Sequence, residues 1–180
     1  MRGANPYKVK IRIVQPESLR RLLLVKQIDI AGLNELVKAA QASPRRRANL
    51  NVHEALSDPV QRLAIAMEPD TLIKPHRHPH TWELLYPLRG RFIVLHFDDA
   101  GVVINRAVLG NEVALLETPA GQWHSVLSLN EGGVIFEVKH GPYTPIADAD
   151  FAPWGSGEAE AATLLRWYGT TKTGERFVAA

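Results

Sequence analysis

The chain has 180 residues, 46% of them hydrophobic and 22% charged, which is enough apolar material for one domain with a well-buried core. Its net charge of +2 and isoelectric point near 9.0 give only a small basic excess, much of it in Arg45, Arg46 and Arg47 and in Lys8, Lys10 and Arg12, so no nucleic-acid partner is expected. Cysteine is absent, which excludes disulfides, a thiol nucleophile and a zinc-thiolate centre and leaves nitrogen and oxygen ligands for any metal.

The first residues, MRGANPYKVKIRI, carry no apolar core of signal-peptide length, and no run approaches a membrane span; cytoplasm and no membrane partner are the expectation. Residues 8 to 14 alternate, with Val9, Ile11 and Ile13 on one face and Lys8, Lys10 and Arg12 on the other, as in a half-buried edge strand. Gln15-Pro16 breaks it. After an apolar passage from Leu22 to Val25, the stripe Ile30, Leu33, Leu36, Val37 and Ala40 predicts a helix over 30–42, with Asp29 as cap and Ser43-Pro44 as stop.

The run from Pro44 to Asn51 is the most basic point of the chain and has two readings. Either it is a solvated loop, or Arg46 or Arg47, with Asn49 and Asn51, orients an acidic substrate. In the following strand, VQRLAIAM, Leu63, Ile65 and Met67 share one face and Arg62, Ala64 and Ala66 the other. Arg62 therefore points either into a cavity, as a further substrate-binding group, or to solvent.

Next comes PHRHPHTWELLYPLRG, which packs three imidazoles and a carboxylate into eight residues. His76 and His78 are one residue apart, so on an extended strand both face the same way, and four residues then allow the chain to return Glu83 to them. Gly90 permits the next reversal. Farther on, ETPAGQWHS places a turn at Pro119 and Gly121 just before an apolar strand, and His124 projects from the start of that strand. Three histidines and one glutamate then converge as ligands. The alternative is a set of unrelated surface histidines. His53 and His96 have no spacing that adds them to the set.

Between the two stretches, RFIVLHFDD and VVINRAVL flank a hairpin at Asp98-Asp99-Ala100-Gly101. The strand GVIFEVKHG sets Ile135, Glu137 and Lys139 on one face and Phe136 and Val138 on the other. Glu137 is a candidate acid or base if its face lines a cavity; otherwise it forms a surface pair with Lys139. From Gly141 the composition turns loop-like. A short helix is expected from about Glu158 to Gly169, then a weak strand pair about Thr173-Gly174. Leu164, Leu165, Trp167 and Tyr168 are too apolar for a free tail and should pack on the barrel or on a second subunit.

The spacing H-x-H, four residues, E, six residues, G, as His76, His78, Glu83 and Gly90, resembles the first motif of the cupin superfamily, and Pro119, Gly121 and His124 resemble the second. Asp70, Val113 and Ser128 depart from that pattern at turn or strand-end positions. The order DPVQRLAIA, PHRHPHTWE, FDDAG, PAGQWHSV and FEVKHGPYTP, preceded by SPRRRANLN, is similar to the WbuC-like family of cupin-fold metalloproteins over about residues 29–154.

The resemblance implies an all-β chain, an antiparallel β-barrel of the jelly-roll kind over about residues 58–146. It would be preceded by the helical segment and a 1–28 strand extension and followed by a 155–180 tail. It implies His76, His78, Glu83 and His124 as ligands of one divalent transition metal, for which Fe, Mn, Ni, Co or Zn suit the donor set. Family members are found beside genes for surface-polysaccharide and deoxysugar synthesis. The expectation is therefore an isomerase-, lyase- or dioxygenase-like enzyme for a carbohydrate-derived or carboxylate small molecule, with Glu137 or Tyr86 as acid or base. A sugar- or acid-binding metalloprotein module is the alternative. The edge strand and the apolar tail, with the many dimeric cupins, further suggest a homodimer.

Overall fold

The computed structural model describes residues 12–13, 25–155 and 161–178. A two-residue strand β1 (Arg12–Ile13) pairs antiparallel with β2 (Lys26–Gln27); the remainder of the strand expected over 8–14 lies outside the described residues. Helix α1 (Ile30–Ala42) follows. Asp29 caps it by accepting a hydrogen bond from Gly32 N at 2.7 Å, and Ser43 ends it in extended backbone.

Eight strands build the body of the molecule: β3 (Arg47–Asn51), β4 (Val60–Met67), β5 (Glu83–Arg89), β6 (Phe92–Phe97), β7 (Val103–Leu109), β8 (Leu116–Thr118), β9 (Trp123–Ser128) and β10 (Gly133–His140). They form a five-stranded sheet, order β3-β4-β10-β5-β8, and a three-stranded sheet, order β7-β6-β9, with every neighbour antiparallel. The two sheets face each other as the cupin-type jelly-roll barrel that the motifs imply. The β6–β7 hairpin closes at Asp98, whose side chain accepts from Ala100 N and Val102 N. Gly101 there has a φ of 82°, and a Cβ would stand 2.8 Å from the Trp154 ring, so no other residue fits.

Two helices cover the outer faces. Leu33, Leu36 and Ala40 of α1 pack on Leu50, Ala64, Ala66 and Val134, so the even-numbered residues of β4 face the helix and its odd-numbered residues face the barrel interior. This corrects one reading of Arg62. It shares the parity of Ala64, its side chain is 43% exposed, and its guanidinium lies 3.9 Å from Asp58 outside the cavity.

On the other side α2 (Ala161–Thr170) buries Leu164 and Tyr168 against Ile93, Leu95, Phe97 and Leu127, and Tyr168 Oη donates to Ile73 O at 3.2 Å. The three-stranded sheet is thus covered on both faces, which is why every residue of β6 and β9 is buried. The start expected for this helix, at Glu158, lies outside the described residues.

The apolar tail therefore packs on its own barrel. That removes the tail from the grounds for a homodimer, and the described part of the edge strand is paired with β2. The strand pair expected about Thr173-Gly174 forms differently: the segment turns there and bonds to the start of β7, through Gly174 N to Val103 O and Val103 N to Glu175 O, both 2.8 Å. Among the described residues no helix is long and apolar enough to cross a membrane.

Candidate metal centre

Contrary to the expected strand, the H-x-H stretch is irregular. Pro75 and Pro79 flank it and have no N–H to give to a ladder. It is held instead by paired bonds to β9, His76 N to His124 O at 3.0 Å and His124 N to His76 O at 2.8 Å, and by Gly121 N to His78 O at 2.8 Å. The extended backbone still puts both imidazoles on one side. Gly121 has a φ of 78°, which turns the chain so that His124 enters β9 at its second residue.

One ring nitrogen from each of His76, His78 and His124 lies within 4.8 Å of the others. Glu83, at the first position of β5, completes the cluster: its Oε2 is 2.8 Å from His124 Nε2 and its Oε1 is 4.0 Å from His78 Nε2. The imidazole orientation is fixed from behind. His76 Nδ1 sits 2.8 Å from Lys74 O and His124 Nδ1 sits 2.9 Å from Gln122 O. A carbonyl only accepts, so both Nδ1 atoms carry the proton and both Nε2 atoms offer a lone pair.

His124 Nε2 is buried, has no hydrogen-bond partner, and meets a carboxylate oxygen, which is also an acceptor. Two converging acceptors fit a cation between them, and imidazole with carboxylate suits a first-row divalent metal. Burial holds the His76 and His78 imidazoles in the neutral, ligating form. It lowers His76 to about 3, and lowers His78 to about 4 against the opposing pull of Glu83. For Glu83, burial acts upward but is outweighed by its close contact with His124, then by Glu137 and Lys139, so its carboxyl falls well below the usual range.

The cluster opens into a cavity of about 620 Å³ between the sheets. Glu137 and Lys139 point into it, because the opposite face of β10 is taken by α1. The two form the expected pair, Lys139 Nζ to Glu137 Oε1 at 2.6 Å, but inside the barrel rather than on its surface. Burial, then the Glu83 charge, pushes Glu137 up to about 8. Tyr86 lies on the other face of β5 and is 46% exposed, so it is no candidate acid or base.

The basic run is a strand rather than a loop from Arg47 onward. Arg47, Asn49 and Asn51 line the cavity, as does Arg45. Arg46 does not: it takes a left-handed φ of 54°, and its guanidinium is tied to Asp70 at 3.1 Å and to Gln41 O at 2.6 Å. His53 also lines the cavity, with Nδ1 against the backbone of Arg62. His96 is packed, Nε2 to Thr118 Oγ1 at 2.9 Å and Nδ1 to Asn105 Nδ2 at 3.1 Å. The interior placement of Lys139, Arg45 and His53 was not read from the sequence. The signal that carries it is strand parity, since 135, 137 and 139 on β10 and 47, 49 and 51 on β3 all face inward.

A family profile described as a domain of unknown function, DUF6016, matches residues 28–109. No curated protein matches the chain. Among solved structures, an oxalate oxidase in complex with the substrate analogue glycolate is 18% identical, with 70% of this chain and 73% of that one covered and a TM-score of 0.47. KdgF from Halomonas sp. is 14% identical over 57% of this chain and 85% of that one, TM-score 0.45. A cupin-2 domain containing protein from Shewanella frigidimarina is 16% identical over 52% and 80%, TM-score 0.41.

Proposed function

We propose that His76, His78, Glu83 and His124 hold one divalent transition metal, and that the chain is a WbuC-like cupin enzyme for a carbohydrate-derived or carboxylate small molecule. The observation that supports this most is the orphaned Nε2 of His124 facing Glu83 Oε2 at 2.8 Å. A bound metal supplies a Lewis acid that polarises a carbonyl or hydroxyl oxygen of the ligand.

The residues around it favour an enzyme over a binding module. A module needs no proton donor beside its metal, yet Glu137, raised to about 8 by burial and the Glu83 charge, shares the cavity with the cluster and holds a transferable proton near neutral pH. Lys139 fixes its orientation through the 2.6 Å contact and also reaches Glu83 Oε1 at 3.8 Å. An isomerase-, lyase- or dioxygenase-like reaction of surface-polysaccharide or deoxysugar metabolism is consistent with this constellation. On this reading residues 29–154 form the WbuC-like cupin domain that carries the site.

The test is turnover. Protein reloaded with its native metal should transform one member of a panel of sugar acids and deoxysugar derivatives, assayed with and without dioxygen. Glu137→Gln should lower the rate about 10²- to 10⁴-fold with metal content unchanged. Tight binding without turnover, and with no effect of Glu137→Gln, would instead make the chain a binding module.

A further inference from the structure

The cavity has a second polar wall, on the edge strand β3. Register sets its distance: Glu137 pairs with Leu63 across β10–β4, and Leu63 with Asn51 across β4–β3. The wall formed by Arg47, Asn49 and Asn51 is thus two strand spacings, about 10 Å, to the side of Glu137. Between them lie Leu63, Ile65 and Met67, an apolar floor. Just past the end of β3, His53 lines the same cavity and keeps its buried Nε2 without a hydrogen-bond partner.

The charges of this cavity do not balance. Arg45, Arg47, Lys74 and Lys139 line it against only Glu83 and Glu137, a surplus of at least two positive charges before any metal is counted. Lys139 is engaged with the two carboxylates, and Arg46, outside the cavity, with Asp70. No hydrogen bond or ion pair among the described residues holds the guanidinium of Arg45 or Arg47. Lone guanidiniums beside an apolar floor recognise carboxylate or phosphate in a fork geometry. Surplus positive charge in a cleft with low-dielectric walls also concentrates anions there.

We infer that the ligand is an elongated molecule with an anionic group at each end, one oxyanion held at the Arg45 and Arg47 end of β3, an apolar or sugar-ring middle over Leu63 and Ile65, and its reacting end at the histidine cluster. This rests on the proposed metal site only for the role of the second end. A two-carbon acid cannot reach both ends, and a cavity of about 620 Å³ is of the size that takes a larger molecule.

The experiment measures binding by calorimetry and needs no turnover, so its failure is separate from failure of the enzyme reading. Oxalate, suberate and a terminally phosphorylated sugar acid are titrated into metal-loaded and metal-free protein. One of the two long ligands should bind the metal-loaded protein at least tenfold tighter than oxalate, and which of them does identifies the far group as carboxylate or phosphoryl. Replacing both Arg45→Gln and Arg47→Gln should weaken the long ligand at least tenfold and leave oxalate within twofold, which also shows that the variant is folded. Arg46→Gln should change neither. In metal-free protein the long ligand should keep its sensitivity to the double replacement. Equal affinity for oxalate and both long ligands, an unchanged long-ligand affinity in the double variant, or no binding of any of the three overturns the proposal.

Discussion

His124 Nε2 stands 2.8 Å from Glu83 Oε2 while His124 Nδ1 gives its proton to Gln122 O, so two acceptors confront each other in a buried site. Only a proton or a cation makes that contact favourable. Replacement of His76, His78 or His124 by Ala should therefore lower metal affinity by more than about 100-fold each, beyond the roughly 10- to 100-fold cost of losing an outer partner alone. Elemental analysis of each variant checks this, with circular dichroism to show that the barrel remains folded. Full occupancy in His124→Ala would refute the four-ligand set.

The stability of the metal-free protein should depend on pH with a maximum near 6.5. His76, His78 and His96 are lowered by burial to about 3, 4 and 4, so between those values and 6.5 the unfolded chain binds more protons than the folded one. Their stabilising contribution is complete above 6.5 and is lost as pH falls through that window. Glu137, raised to about 8 by burial and the Glu83 charge, acts in the opposite sense: its contribution is complete below about 4.5 and is lost as pH rises through about 8. Below 6.5 the three histidines outnumber Glu137, so the acid limb should be the steeper. Urea midpoints across pH 4 to 9 measure it; a midpoint that rises steadily from pH 6.5 to 9 would contradict the interior placement of Glu137.

The cluster was legible in the sequence because a metal site demands given side chains at given spacings, and the fold does bring His76, His78, Glu83 and His124 together. The helix over Ile30–Ala42 was legible from its stripe and cap for a similar local reason. Parity was not. Arg62 against Leu63 and Glu137 against Phe136 are choices of sheet face, and a strand with mixed residues on both faces does not say which one a helix will cover. Strand β3 was missed because RANLN has no β-branched or aromatic residue; its pairing to β4 is supplied by the sheet, not by propensity. The tail was ambiguous because an apolar helix looks the same whether it covers its own barrel or a partner's.

That tail gives a further expectation. Leu164 is 1% exposed beneath β6 and β9, so Leu164→Ala should cost about 2–5 kcal/mol. Arg62→Ala, on the outer face, should stay within about 0.5 kcal/mol. Denaturant unfolding separates the two. A larger loss at Arg62 than at Leu164 would mean that the faces of β4 are assigned the wrong way round.

Alanine in place of Lys139 should leave the metal bound but release Glu137 from its 2.6 Å contact. The reaction rate should then fall while ligand affinity at the β3 wall is retained, a split between kcat and KM that steady-state kinetics reads directly. Equal losses in both would point to a collapsed cavity rather than to a mispositioned acid.

Metal stoichiometry tests the proposed centre most directly. Protein purified without chelator, or stripped and then titrated with Fe(II), Mn(II), Co(II), Ni(II) and Zn(II), should carry one divalent transition ion per chain, and the His76→Ala and His124→Ala proteins should carry much less. A wild-type chain that is folded yet takes up none of the five ions at neutral pH would contradict the account.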